Sequence, residues 1–135
     1  MTDNEQGTPA PVGGPVAEPF WRAAREGRLA IQRCDCCQAL RWPPLAGCPE
    51  CRSRDTTWTD VEPSGTIWSF VVYHRAFQAE LRAEIPYTVA MVELNDGPYI
   101  VGRLIPGNKP PSVGDRVVAE FVEIDRVPSV RWRVA

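Results

Sequence analysis

Five cysteines lie between residues 34 and 51, and the 135-residue chain has none elsewhere. Four of them form two pairs of equal spacing, Cys34-x-x-Cys37 and Cys48-x-x-Cys51, with ten residues between the pairs. A tetrahedral zinc ion needs ligands from two directions, and two such knuckles on facing hairpins supply them. Each knuckle holds its sulfurs close and aims backbone amides at the thiolates. Between the knuckles, Trp42-Pro43-Pro44 predicts an extended connector that lets the second return to the first, and Pro49 stiffens the second turn. Only Cys34 and Cys37 keep the two-residue spacing in the first knuckle, so Cys36 is a bystander. A thioredoxin-type redox pair needs a Cys-x-x-Cys that opens a helix after a strand, and the residues around Pro49 predict no helix. Four thiolates close the coordination shell, which makes the expected single zinc ion structural rather than catalytic.

Elsewhere the residue types that perform chemistry are sparse. The only histidine, His74, falls at the end of a strand pattern with no nucleophile or carboxylate near it, and reads as a rim residue. Ser64 and Ser69 lack an elbow motif, and Asp60 and Glu62 read as solvated strand-end charges. No glycine-rich phosphate loop is present. No catalytic residue is therefore assigned, and the chain by itself is expected to catalyse nothing. Binding remains. Most of the large aromatics are needed to fill a core, but Phe20 and Trp21 sit on a short helix outside it and are the candidates for a partner surface.

The elements that position these residues can be read in order. Residues 1–17 are polar, rich in proline and glycine and without periodicity, and read as a disordered leader. Residues 18–28 predict a docking helix of about two turns, with Pro19 at its start and Gly27 as its C-terminal cap. Residues 29–57 hold the zinc ribbon, a segment too short to fold without its metal. Residues 58–135 carry five strand patterns: GTIWSFVVYHRAF, PYTVAMVEL, PYIVGRL, GDRVVAEFVEI and VPSVRWRV. In the first, strict alternation puts Trp68 on the same face as Phe70 and Val72. Asn95-Asp96-Gly97 joins the second and third as a hairpin. Five short strands in a hairpin-rich layout predict a small Greek-key barrel of the OB type. Its usual helix before the fourth strand is missing, because IPGNKPPSVG cannot be helical.

Composition narrows the partners. With 44% hydrophobic and 24% charged residues the chain is of ordinary globular type, and no apolar run is long enough to span a membrane. The N-terminus lacks the layout of a secretory signal, so a cytoplasmic location is expected, where clustered cysteines hold metal rather than form disulfides. Fifteen Lys plus Arg against seventeen Asp plus Glu give a net charge of −2, which argues against nucleic acid as a partner.

The order of these parts, an aromatic-bearing helix, LAIQRCDCC, RWPPLAGCPEC, GTIWSFVVYHRAF, PYTVAMVELNDGP and VGDRVVAEF, resembles a known family. It is similar to the zinc-ribbon plus OB-fold proteins that accompany acyl-CoA enzymes. These are partners of thiolases, of hydroxymethylglutaryl-CoA synthase systems and of lipid-transfer-like aldolases of steroid side-chain breakdown. The resemblance spans roughly residues 19–124 and is most specific at the Pro-Pro step and Cys-Pro-x-Cys. It implies a mainly β fold with a short N-terminal helix, a rubredoxin-like zinc ribbon and a five-stranded OB-fold barrel. It places the zinc ligands on Cys34, Cys37, Cys48 and Cys51. Where the family has Gly after the second cysteine this chain has Gln38, at a left-handed position that costs on the order of 1 kcal/mol. The implied function is a non-catalytic accessory subunit that docks on a thiolase-like or lipid-transfer-like enzyme and helps to shape its acyl-CoA site. Arg33, Arg41, Arg52 and Arg54 near the ribbon are then the candidates to face CoA phosphates, with solvated surface or ion pairs as the alternative. Two other readings are a single-stranded nucleic-acid binder, since OB barrels stack bases on aromatics, and a free carrier of acyl-CoA.

Overall fold

The computed structural model describes residues 13–76, 79–124 and 126–135. Most of the expected leader lies outside the described residues. Its last part departs from expectation: Gly14–Ala17 form a 3-10 turn with Ala17 buried, because proline and left-handed glycines at 13 and 14 bring the chain directly onto the helix that follows. By contacts the chain divides into two compact units. One runs to Glu62 and includes Phe121–Ser129; the other is Pro63–Glu120 with Val130–Ala135.

The first unit opens with helix α1, Glu18–Arg25. Pro19 sits in its first turn, Glu18 pairs with Arg22 one turn on, and Gly27 adopts φ 78° beyond its end. The Gly27 and Arg28 amides donate to Ala24 and Ala23 carbonyls, closing the C-terminus with a left-handed cap. At eight residues the helix is too short to persist alone. It holds by burying Phe20, Ala23 and Ala24 and by packing on strand β1, Leu29–Cys34. β1 is the centre of a three-stranded antiparallel sheet, flanked by β2, Leu40–Arg41, and β3, Thr56–Val61. Covered on both faces, β1 is buried at every position except half-buried Arg33, which explains why its sequence shows no alternation. β3 crosses the boundary expected at residue 58, since Trp58–Val61 continue its pairing with β1.

The second unit is built on a closed barrel of β4 Ser64–Tyr73, β5 Tyr87–Leu94, β6 Tyr99–Leu104, β7 Arg116–Ile124 and β8 Val127–Val134, in the order β4-β5-β6-β8-β7. All ladders with a described register are antiparallel except β6–β8, which runs parallel and sets Leu104 against Trp132. The Asn95-Asp96-Gly97 turn joins β5 to β6, and residues 105–115 contain no helix. A 3-10 helix, Ala79–Glu84, precedes β5; its polar sequence shows no apolar periodicity to predict it. Ile67, Val92 and Ile100 form one inward row, all essentially inaccessible. The indole of Trp132 fills the space left by Gly102, where a Cβ would lie 2.6 Å from its Nε1.

Alternation along β4 fails at one point. A β-bulge between Ile67 and Ser69 lets Ile67 face Val92 and Phe70 face Ala90, both partners fully buried, while Trp68 is 53% exposed. Trp68 therefore points outward, opposite to Phe70, because the extra residue shifts the phase of the strand. Among the described residues no helix is long and apolar enough to cross a membrane.

Candidate metal centre

Each knuckle begins where a strand of the ribbon has just ended or a loop has just turned. Cys34 is the last residue of β1, and its amide donates to the Ala39 carbonyl while the Gln38 amide donates to its own. The second knuckle repeats this: the Cys48 amide donates to the Ser53 carbonyl, and Arg52 donates to Cys48. The residue after each second cysteine turns left-handed, Gln38 at φ 67° and Arg52 at φ 68°. The strain expected at Gln38 is thus present twice. The Gln38 amide also donates from its side chain to the Asp35 carbonyl at 3.1 Å.

The four sulfurs of Cys34, Cys37, Cys48 and Cys51 lie within 4.8 Å of one another. Cys34 Sγ is 3.4 Å from Cys51 Sγ, and Cys37 Sγ is 3.7 Å from Cys48 Sγ. A tetrahedron with Zn–S bonds of 2.3 Å has edges of about 3.8 Å, so the donor set fits zinc without rearrangement of the backbone. All five cysteines are free thiols, and Cys36 is exposed and outside this cluster.

The electrostatics divide the four thiols. The amide of Cys37, 3.5 Å from Cys34 Sγ, and then that of Cys36 stabilise the Cys34 thiolate and lower its pKa to about 6 against the opposing effect of burial. The Cys51 amide acts likewise on Cys48, whose pKa is lowered. For Cys51 the Ser53 amide pulls downward, but the Cys34 sulfur, burial and the remaining two sulfurs push harder and raise it to about 12. Cys37 is raised by burial and by Cys48 and Cys34, although the Ala39 amide lowers it. The first cysteine of each knuckle is thus shifted toward thiolate and the second toward thiol, and a divalent cation favours the thiolate form of all four.

Two polar residues hold the connector between the knuckles, and neither role is visible in the sequence pattern. Gln32, 3% exposed on β1, donates from Nε2 to the Leu45 carbonyl at 2.9 Å and accepts the Leu45 amide on Oε1 at 2.8 Å. Arg41, its register partner on β2, donates from Nη2 to the same carbonyl at 3.2 Å and to Thr56 Oγ1 at 2.7 Å. The only available signal was a glutamine directly after the apolar run Leu29-Ala30-Ile31. The Trp42–Pro43 peptide within this connector is cis.

These contacts revise two expectations. Arg41 is 6% exposed, so its guanidinium lies inside the ribbon and not on its surface, with Nη2 bonded to Leu45 and Thr56 and with Nε and Nη1 buried without a hydrogen-bond partner. Arg33 is half-buried on β1, and Arg52 and Arg54 are exposed. Phe20 is 3% exposed, its ring 4.8 Å from Trp21 and 6.3 Å from Trp42. The helix carrying it lies outside the barrel but not outside a core, since the ribbon supplies one. Trp21 remains half-buried.

Comparison with known proteins matches both units. The model for the ChsH2 rubredoxin-like zinc ribbon domain covers residues 21–57, and that for the ChsH2 C-terminal OB-fold domain covers residues 58–122. A probable enoyl-CoA hydratase alpha subunit of Thermomonospora curvata is 41% identical over 78% of this chain. A DUF35 domain-containing scaffold protein of Methanocaldococcus jannaschii is 32% identical over 63% of it. The chain spans 33% of the length of the first relative and 61% of the second. Among solved structures, a chain of an Ltp2-ChsH2(DUF35) aldolase superimposes with a TM-score of 0.80 at 31% identity, covering 92% of this chain and 98% of that one.

Proposed function

Because this chain belongs to the ChsH2 family of zinc-ribbon plus OB-fold proteins, we propose that it is an accessory subunit of an acyl-CoA-processing enzyme, docking on a lipid-transfer-like or thiolase-like partner. The observation that carries the reading is the match, over nearly the whole of both chains, to the DUF35 component of an aldolase assembly. Relatives named as a hydratase alpha subunit and as a scaffold point the same way. In this reading one zinc ion, held by Cys34, Cys37, Cys48 and Cys51, acts as a staple that shapes the ribbon. It adds folding free energy to the small core that α1 and β1 build.

The outer face of the barrel offers a surface suited to such a partner. Trp68, Val71, Tyr99 and Val101 are each more than 40% exposed, and the Trp68 and Tyr99 rings meet edge to face at 5.2 Å. Large aromatics at the centre of a patch are the residues that anchor protein interfaces. In the same reading Trp21, half-buried on the ribbon unit, is a further contact, and Arg33, Arg52 and Arg54 are the candidates to meet CoA phosphates through the complex.

The test is reconstitution. The chain is co-expressed with a lipid-transfer-like or thiolase-like enzyme encoded in the same cell, and the pair is analysed by size exclusion and assayed on acyl-CoA substrates. A stoichiometric complex whose turnover depends on this chain, and which Trp68→Glu dissociates, supports the reading. A monomeric preparation of this chain that converts acyl-CoA without a companion refutes it.

A further inference from the structure

The barrel unit contains a cavity of about 750 Å³, bounded by the 3-10 helix, the start of β5, the end of β6, the loop that follows and the end of β8. Its charged lining is Glu84, Arg103, Lys109, Asp115, Arg131 and Arg133. Among its lining side chains four cations stand against two carboxylates, in a chain whose overall charge is −2.

Both carboxylates are already engaged. Glu84 pairs with Arg103 at 2.5 Å, and Asp115 Oδ2 accepts the Ser112 amide at 2.9 Å. Arg133 pairs with Glu120 at 2.6 Å. Arg131 and Lys109 have no ion pair among the described residues, and Arg131 Nε is buried without a hydrogen-bond partner. The parallel register of β6 and β8 sets Arg103 directly beside Arg131. Like charges on adjacent strands repel, and a buried donor without an acceptor is costly. Burial, and then the charge of Arg103, hold the Arg131 guanidinium below its ordinary range. The Glu84 carboxylate, paired with Arg103, offsets part of this repulsion, but Arg131 Nε still lacks an acceptor.

We propose that this cavity binds a phosphoryl-bearing small molecule, whose phosphate oxygens accept from Arg131 and Lys109 beside Arg103. The Arg131 guanidinium and the Lys109 ammonium, lining one cavity, supply more N–H donors than a single carboxylate can use and suit the several oxygens of a phosphate. The volume admits a nucleotide-sized ligand. The ligand is held by charge and not by base stacking. Tyr87, the lining aromatic, is already stacked with Tyr73 at 5.1 Å and covered by Arg103 at 4.2 Å. A nucleic-acid strand would need such a ring free. This site lies wholly within the barrel unit and does not depend on the partner reading.

The metal-loaded full chain is titrated calorimetrically with pyrophosphate, ADP and coenzyme A at low and moderate salt. Saturable binding is expected, weakened by at least about ten-fold in Arg131→Gln and in Lys109→Gln, and unchanged in Arg25→Gln on α1. Arg131→Gln removes a repulsion, so its melting temperature should equal or exceed that of the parent; if it misfolds, Lys109→Gln in the exposed loop carries the test. The order of affinities names the source. ADP tighter than pyrophosphate indicates a nucleotide, and coenzyme A tighter than ADP indicates the acyl carrier. Absence of saturable binding for all three, or binding undiminished in both glutamine variants, overturns the proposal. Binding of single-stranded oligonucleotides with none of the three small molecules overturns it as well.

Discussion

Gln32→Leu separates the role of the connector from that of the metal. The glutamine sits on β1 with 3% of its surface exposed and holds Leu45 by two reciprocal hydrogen bonds, at 2.9 and 2.8 Å. Leucine is close in volume, so the change removes the bonds and leaves little cavity. At about 1 kcal/mol for each net hydrogen bond, the loss should be about 2 kcal/mol. The Leu45 carbonyl retains Arg41 Nη2 at 3.2 Å, which keeps the figure from rising further. Gln32→Glu is the control: a carboxylate still accepts the Leu45 amide but has no N–H for its carbonyl, and it introduces a buried charge. It should destabilise at least as much as leucine. Urea unfolding followed by tryptophan fluorescence gives the free energies, at a buffered free-zinc concentration so that metal linkage is equal for all variants. A chelator competition on the same variants reports whether the connector feeds into metal retention. The reasoning fails if Gln32→Leu lies within about 0.5 kcal/mol of the parent, or if Gln32→Glu matches the parent.

Removal of the metal, or Cys48→Ala, should open residues 30–55 to limited proteolysis while far-UV circular dichroism retains the barrel signal; unchanged protease resistance there contradicts the staple. Gly102→Ala should cost about 2 kcal/mol or more, because the new Cβ meets Trp132 Nε1 at 2.6 Å and Cδ1 at 2.8 Å and this indole is fully buried. Thermal unfolding of the barrel measures it, and a neutral result would mean that the Trp132 environment is not as close-packed as described. Metal uptake at pH 7 should release about two to three protons. Cys37 and Cys51, both raised, give one each, Cys34, near 6, almost none, and Cys48, which is lowered, at most one. In the metal-free chain the stability linked to Cys34 is complete above pH 9 and is lost as pH falls through about 6, whereas that linked to Cys51 is present below 9 and is lost as pH rises toward 12. Zinc titration in weak buffer with a pH indicator checks the count; release of four protons would refute the lowered Cys34 thiol.

What the sequence determined by itself was local. Two Cys-x-x-Cys pairs identify a four-sulfur cluster because each knuckle is one tight turn, whose geometry depends on residues within four positions. The Asn-Asp-Gly hairpin, the Gly27 cap and the five barrel strands were legible for the same reason: turn chemistry and period-two patterning act over a few residues.

Tertiary structure decided what depends on neighbours distant in the chain. Phe20 and Arg41 became interior because α1 and β2 pack on β1, and no periodicity in an eight-residue helix or a two-residue strand can announce that. One bulge in β4 turned Trp68 outward, since a single extra residue inverts a period of two. Arg103 and Arg131 were unremarkable surface charges until the parallel β6–β8 register set them side by side in one cavity. Coulomb energy depends on distance in space, and only the closed barrel fixes that distance.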